Sequence, residues 1–278
     1  MRKTGNITLE GRHGKPILVD ATYNETARPK PVIIFSHGFK GFKDWGHFNL
    51  VAETFAQAGF VFIKFNFSHN GTTPEQPTDF ADLEAFGHNN FSIELDDLGT
   101  VIDWALSDRT LSTEIDSQRL YLLGHSRGGG LSILKAGEDA RVKKLATWAS
   151  IGEFGRFWDA EVVAQWKRKG VMYVDNSRTK QRMPMYYDSY ENFYANEQRL
   201  DIPAAMARLT IPSLIVHGDN DVVVPFASGE KLASLNTQAS LLPIAGGDHT
   251  FGARHPWQQN ALPEPSGSVL RATVGFLG

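Results

Sequence analysis

The sequence predicts an α/β fold, a mostly parallel central sheet flanked by helices, and three observations carry that expectation. Continuous apolar runs such as Val32–Ser36 and Phe60–Phe67 read as strands buried on both faces. Segments of helical periodicity, Phe48–Ala58 and Ser92–Ser107, alternate with them, and this alternation implies right-handed crossovers into a parallel sheet. A further apolar run, Leu120–Leu123, leads into Gly124-His125-Ser126-Arg127-Gly128 and then a helical pattern, so a serine sits on a strand-to-helix turn.

Taken in order, Ile7–Glu10 and Pro16–Tyr23 are expected as two short strands around Gly11-Arg12-His13-Gly14, an antiparallel edge with a structural role. The strand Val32–Ser36 ends in the glycine-containing loop His37-Gly38-Phe39-Lys40-Gly41, and Gly59 caps the helix Phe48–Ala58. Ile93, Leu95, Leu98, Val101, Ile102, Trp104 and Ala105 form the apolar positions of the helix Ser92–Ser107, where Asp96 and Asp97 read as solvated or capping groups. After the serine turn, Leu131, Ile133 and Leu134 continue a helix, and Val142–Ala149 is the next strand.

The rhythm then breaks. Residues 151–208 contain no strand-helix-strand unit of the expected length, yet they carry ten of the chain's 31 aromatic residues, which marks the segment as an insertion with its own apolar content. Among them are Phe154, Phe157, Trp158, Trp166, Tyr173 and Tyr187. Val171–Val174 and Pro184–Tyr187, flanking Asn176–Lys180, predict a small β-hairpin. These aromatics fit an independent small core, a lid whose underside meets substrate, or both. Trp158, Tyr173 and Tyr187 are the candidate substrate-binding residues. The sheet resumes at Ile211–Gly218, followed by a helix near Phe226–Leu235, a last strand Ser240–Ala245 and a closing helix Ser268–Leu277. The expected organisation is one core of residues 1–150 and 209–278, interrupted by a lid of residues 151–208.

The bulk properties narrow the function classes. A formal net charge of −3 provides no general attraction to nucleic acid or an anionic membrane. No apolar run of about 18 residues is present to span a bilayer. The first residues never develop the apolar core of a secretory signal, so a cytoplasmic location is the default expectation. With no cysteine, a thiol nucleophile and Cys-ligated zinc are excluded. The stretch before Val32 is too short for a propeller that would size-filter peptides. Neither cofactor nor metal is expected, and a monomer or a homodimer is compatible with the sequence.

A serine hydroxyl becomes a good nucleophile only when a base removes its proton, and the base needs a third group to orient it. Both partners follow successive late strands: Asp221 after Leu214–Val216 and His249 after Leu241–Ala245. Asp219 is the alternative acid, but the spacing to Val224-Pro225 favours Asp221. Of the other histidines, His37 and His217 read as anchors of loop backbone and His125 as packing. His13, His47, His69, His88 and His255 read as surface or loop residues.

Four ordered motifs, His37-Gly38-Phe39, Gly124-His125-Ser126-Arg127-Gly128, His217-Gly218-x-x-Asp221-x-x-Val224-Pro225 and Gly246-x-x-His249, make the chain resemble the α/β-hydrolase superfamily over nearly its full length. Within it, the chain is similar to bacterial cinnamoyl or feruloyl esterase-like carboxylesterases. The resemblance implies Ser126 as nucleophile, Asp221 as orienting acid and His249 as general base. It also implies an oxyanion hole of the Phe39 and Arg127 backbone amides. Two departures bear on specificity: Asn66–Thr72 replaces the family's Asp-x-x-Gly-x-Gly-x-Ser loop, and Arg127 stands where such esterases often carry Gln. The expected activity is a carboxylesterase acting on small to medium esters, aryl or hydroxycinnamoyl esters included. A small-peptide or amide hydrolase and an acyltransferase would use the same residues, and a binding module on this scaffold is the distant alternative.

Overall fold

The chain is described by a computed structural model covering residues 1–26, 28–155 and 158–278; Phe157, one of the aromatics noted in residues 151–208, lies outside the described residues. Strands β1 (Arg2–Glu10) and β2 (Pro16–Tyr23) form the antiparallel edge. β1 starts earlier than Ile7 because a register shift between Thr4 and Ile7, with Asn6 at φ 54°, lets pairing continue toward the N-terminus. The core then alternates through β3 (Lys30–Ser36), α1 (Phe48–Gln57), β4 (Val61–Asn66), α2 (Leu83–Gly87), α3 (Phe91–Ser107), β5 (Ile115–His125), α4 (Arg127–Glu138) and β6 (Val142–Trp148).

Between β6 and the next strand of the sheet lie α5 (Ala160–Lys169), the hairpin β7 (Val171–Asn176) and β8 (Gln181–Tyr186), α6 (Asp188–Ala195) and α7 (Ile202–Arg208). The core closes with β9 (Ser213–Gly218), α8 (Phe226–Ser234), β10 (Ala239–Ile244) and α9 (Glu264–Leu277). α9 begins at Glu264 rather than Ser268 because Pro265 fits the first turn, where its missing amide has no partner to lose.

One eight-stranded sheet runs in the order β1-β2-β4-β3-β5-β6-β9-β10. β2 is antiparallel to both of its neighbours, and every other pairing in the sheet is parallel. Alternation along the strands divides the core into two layers. Val32, Ile34, Leu120 and Leu122 face the helices α3 and α4, whereas Ile33, Phe35, Tyr121 and Leu123 face α1 and α9. Burying each such side chain contributes roughly 1.5–3 kcal/mol, which is why the central strands read as unbroken apolar runs.

The helices of the insertion were hidden from periodicity because they bury so little. α5 fully buries only Trp166 and α6 only Ser189 among their described residues, so their apolar faces, Val162, Val163 and Trp166 in one and Tyr190, Phe193 and Tyr194 in the other, are short and largely half-exposed. α5 is instead defined by its ends: Asp159 accepts from the Glu161 and Val162 amides at 3.0 and 2.9 Å, and Gly170 closes it in the left-handed conformation. α7 differs again. Its Ile202, Ala205 and Met206 join the main core against α4, with Gly130 leaving the space that Ile202 fills.

A network of charged groups is buried inside this framework. Lys64, in the apolar run of β4, pairs across the sheet with Asp20 of β2, and the Lys43 ammonium donates to Asp20 at 2.7 Å and Asp44 at 2.5 Å. Lys64 donates to Asp20 at 2.6 Å and also to Asp44, closing a ring of two ammoniums and two carboxylates. Burial alone would push the Asp44 pKa up, but Lys64 and Lys43 override it and hold the carboxyl below its ordinary value of 3.8. A depressed folded-state pKa contributes stability that is present above about pH 4 and is lost as pH falls through the lowered value.

Removing one member leaves unmatched charge in a buried site. Lys64→Met is therefore expected to lower the unfolding free energy by about 3–5 kcal/mol, read as a shifted urea midpoint at pH 7. An unshifted midpoint would show that the ring contributes nothing net.

Candidate active site

The site begins with a backbone constraint. β5 ends at His125 and α4 starts at Arg127, so the reversal between them falls on Ser126, held at φ 56° and ψ −120°. The flanking glycines are needed for contact rather than flexibility. A Cβ on Gly124 would lie 2.1 Å from the Gly128 carbonyl oxygen, and one on Gly128 would lie 2.2 Å from that of Ser36. Close approach to the end of β3 brings the following loop against the serine: a Cβ on Gly38 would come within 2.9 Å of the Ser126 Cβ. Phe39 and Arg127 thus flank Ser126. As the first residue of α4, Arg127 has an amide with no partner inside the helix.

The late loops supply the other two groups. His249 Nε2 lies 3.0 Å from Ser126 Oγ, and His249 Nδ1 lies 2.8 Å from Asp221 Oδ2. The Asp221 side chain is buried, and its Oδ1 accepts from the Val223 and Val224 amides at 2.8 Å each. Burial pushes its pKa up, but hydrogen bonds from His217 and His249 and the Val224 amide override this, holding the carboxyl well below the usual carboxylate range. Asp219 has a different position: its Oδ1 accepts from the Gly246 amide at 2.7 Å, tying the loop after β9 to the loop after β10.

The remaining histidines divide into anchors and buried groups. His217 donates from Nε2 to the Val224 carbonyl at 2.9 Å, and His37 Nδ1 lies 2.9 Å from the Gly38 carbonyl. His125 is more than packing: its Nε2 donates to the His249 carbonyl at 2.8 Å, while burial pushes its pKa down to about 3. His47 and His69 are buried rather than on the surface, His47 against Ser266 and His69 against Ser68. Asp97 is likewise not solvated. It is fully buried and accepts from the Ser68 amide at 2.7 Å, with burial raising its pKa to about 7. Asp96 pairs with Arg199 and His13.

Two cavities meet at Ser126. One of about 350 Å³ is apolar, walled by Phe91, Ile151, Phe154, Trp158, Met172, Val174 and Met185, with the exposed Val223 at its margin. The other, of about 310 Å³, is mixed: Phe39, Trp45 and Phe48 line it beside His249, Asn176, Ser177, Arg178 and His255, and Lys40 borders both cavities. Of the three aromatics singled out in the sequence, Trp158 lines the apolar cavity and Tyr173 and Tyr187 do not. The strand period explains the first exception: Met172 and Val174 point toward the cavity, so Tyr173 between them faces outward beneath the Arg182 guanidinium. Tyr187 precedes α6 and stacks on Tyr190, 5.2 Å between centroids, inside the aromatic cluster of the insertion.

Arg127 was singled out both for its amide and for standing where Gln is common. Its guanidinium also enters the apolar cavity, 4.0 Å from the Phe39 ring centroid and 5.1 Å from that of Phe91, with Nη1 3.3 Å from Glu94 Oε1. Among the described residues, no group of three or more histidine, aspartate and glutamate side chains is gathered as a metal site. No helix of the described residues is long and apolar enough to cross a membrane.

Sheet order, strand-to-helix serine turn and flanking late loops together define an α/β-hydrolase. Within that class the chain belongs to the prolyl oligopeptidase family, whose profile matches residues 46–252. It is 32% identical over 117 residues to a 31.7 kDa protein from the traX-finO intergenic region of Escherichia coli, covering 42% of this chain and 36% of that one. The matched stretches span about a third of the length of the curated relatives. Among solved structures, the α/β hydrolase GrgF from Penicillium sp. sh18 superposes with a TM-score of 0.71 at 15% identity, over 100% of this chain and 98% of its own. Est1E from Butyrivibrio proteoclasticus, with ferulic acid bound, gives 0.69 at 18% identity over 98% and 97%.

The tight serine turn makes a direct test of local packing. Gly128→Ala is expected to lower the unfolding free energy by about 3 kcal/mol because its methyl meets backbone, not a movable side chain. Gly275→Ala, in α9 with no neighbouring atom within 4 Å, is expected to leave stability equal or raise it by up to about 1 kcal/mol. Chemical denaturation of both variants checks the contrast, and equal effects would refute the packing account.

Proposed function

We propose that the protein is a serine hydrolase cleaving small to medium carboxylic esters through an acyl-enzyme on Ser126. The observation that supports it most is the continuous chain of contacts from Ser126 Oγ through His249 to Asp221. In this reading His249 Nε2 takes the serine proton as Oγ adds to the ester carbonyl, and Asp221 stabilises the imidazolium. The carbonyl oxygen becomes an oxyanion, held by the Phe39 and Arg127 amides. As the carbonyl re-forms, the C–O bond to the alcohol breaks and His249 returns the proton to the departing oxygen. Water then adds to the acyl-enzyme by the same steps, freeing the acid and Ser126.

The apolar cavity is the site for the acyl group. Its volume lies at the small end of ligand pockets, about 300–1,000 Å³, which favours short, medium or aryl acyl groups over long chains. The likeness of the fold to Est1E agrees with an ester substrate but does not select one. Family membership favours a second reading, hydrolysis of small peptides or amides by the same residues.

Initial rates on p-nitrophenyl acetate, butyrate, octanoate and palmitate, methyl ferulate and matched anilides test these readings. Ser126→Ala is expected to reduce turnover about a million-fold. Residual activity near wild type would remove Ser126 from the chemistry. Butyrate is expected to react faster than palmitate, and the reverse order would contradict the acyl assignment. Faster cleavage of the anilide than of its matched ester would move the conclusion to an amide hydrolase.

A further inference from the structure

Of the two cavities at Ser126 the second is the more polar; Lys40 stands on the border of both, whereas His249 and Arg178 line the second, polar one alone. If Ser126 forms an acyl-enzyme, the departing group must collect its proton from His249 Nε2. It therefore leaves on the polar side, while the acyl group occupies the apolar side. The charge of the polar cavity then bears on the alcohol or amine half of the substrate.

That cavity is lined by two cationic side chains, and no aspartate or glutamate is among its described lining residues. Lys40 Nζ donates to the Asp175 backbone carbonyl at 3.0 Å, and no described carboxylate lies within 4.0 Å of it. The ammonium is half-buried, and burial lowers its pKa against a weaker opposing pull from the Asp175 charge. Its backbone is also costly, at φ 56°, a conformation glycine adopts far more easily. A charged side chain is thus retained where both strain and desolvation oppose it.

Arg178 adds the second cation from the β7–β8 turn. Among the described residues its one ion pair is a 3.4 Å contact from Nη1 to the exposed Asp79, and the guanidinium lies over the Phe42 and Phe80 rings, which fix its place. His255 completes the wall. The Gly46 amide donates to its Nδ1 at 2.9 Å, which leaves Nε2 as the N–H of the neutral ring. Asn176 and Ser177 line the same wall.

We infer that the polar cavity is a subsite for a leaving group bearing a carboxylate, recognised by Lys40 and Arg178. The substrate class is then an apolar acyl group joined to a carboxylate-bearing alcohol, phenol or amine. This assignment rests on the acyl-enzyme reading of Ser126.

The test compares 4-carboxyphenyl butyrate with 4-carbamoylphenyl butyrate, which share the acyl group and nearly the same shape but differ in charge. Wild type is expected to prefer the anionic ester by about tenfold in kcat/KM, mainly through KM, and the preference should shrink as salt is raised. Lys40→Met and Arg178→Met should each reduce the ratio of the two kcat/KM values several-fold, and Lys40→Arg should keep it. The ratio, rather than either rate, is the readout, so a general loss of activity does not imitate the effect. A wild-type ratio near one, or a ratio unchanged in both methionine variants, overturns the subsite while leaving the serine mechanism standing. Turnover that persists in Ser126→Ala, or no turnover of either ester, overturns the acyl-enzyme reading and the subsite with it.

Discussion

The strained turn at Ser126 is the constraint on which the rest of the site depends. A residue with a side chain is held at φ 56° only because the glycines at 124 and 128 let α4 pack directly on the ends of β5 and β3. That contact also sets the distance to the loop carrying Phe39 and Lys40, since Gly38 lies against the serine. The Ser126 carbonyl continues the effect outward by accepting from the Gly129 and Ile151 amides at 3.0 and 3.3 Å. One turn therefore aligns a helix N-terminus, a neighbouring loop and the first residue of the insertion.

The two late loops reach the same turn through polar ties. Parallel pairing of β9 with β10 brings their ends together, and the Asp219–Gly246 contact prevents the loops from separating. His125, adjacent to the serine in sequence, holds the His249 backbone through a buried imidazole that stays neutral. The histidine is consequently located from its carbonyl side by one element and from its ring by another. The Asp20–Lys43–Asp44–Lys64 ring fixes the antiparallel edge against the loop after β3 that also carries Phe39 and Lys40, a polar counterpart to the apolar layers on either face.

Much of this was legible in the sequence wherever burial is two-sided. Runs such as Val32–Ser36 and Val61–Asn66 could be read as strands because both faces of the sheet are covered, and the glycine spacing about Ser126 follows from contacts within one turn. Legibility failed where residues act across distant elements. Asp97 looked like a solvated helix residue because nothing local reveals that the Ser68 amide would meet it inside the core. The cavity wall was sought at Trp158, Tyr173 and Tyr187; Trp158 lines it, but a hairpin with one face toward the cavity selects by alternation, and Met172 and Val174 occupy that face. Helix α5 escaped because its apolar face is short and only Trp166 on it is fully buried.

The position of Ser126 at the wall shared by two cavities has a kinetic consequence under acyl-enzyme chemistry. The second nucleophile must approach where His249 can take its proton, which is the cavity the first product has just occupied. The first product must then depart before water can attack, so release is ordered and the first product competes with water for the same space. Any alcohol or amine that fills this cavity while the acyl group is still attached becomes an acceptor in water's place. The balance between hydrolysis and acyl transfer is thereby set by occupancy of one small cavity.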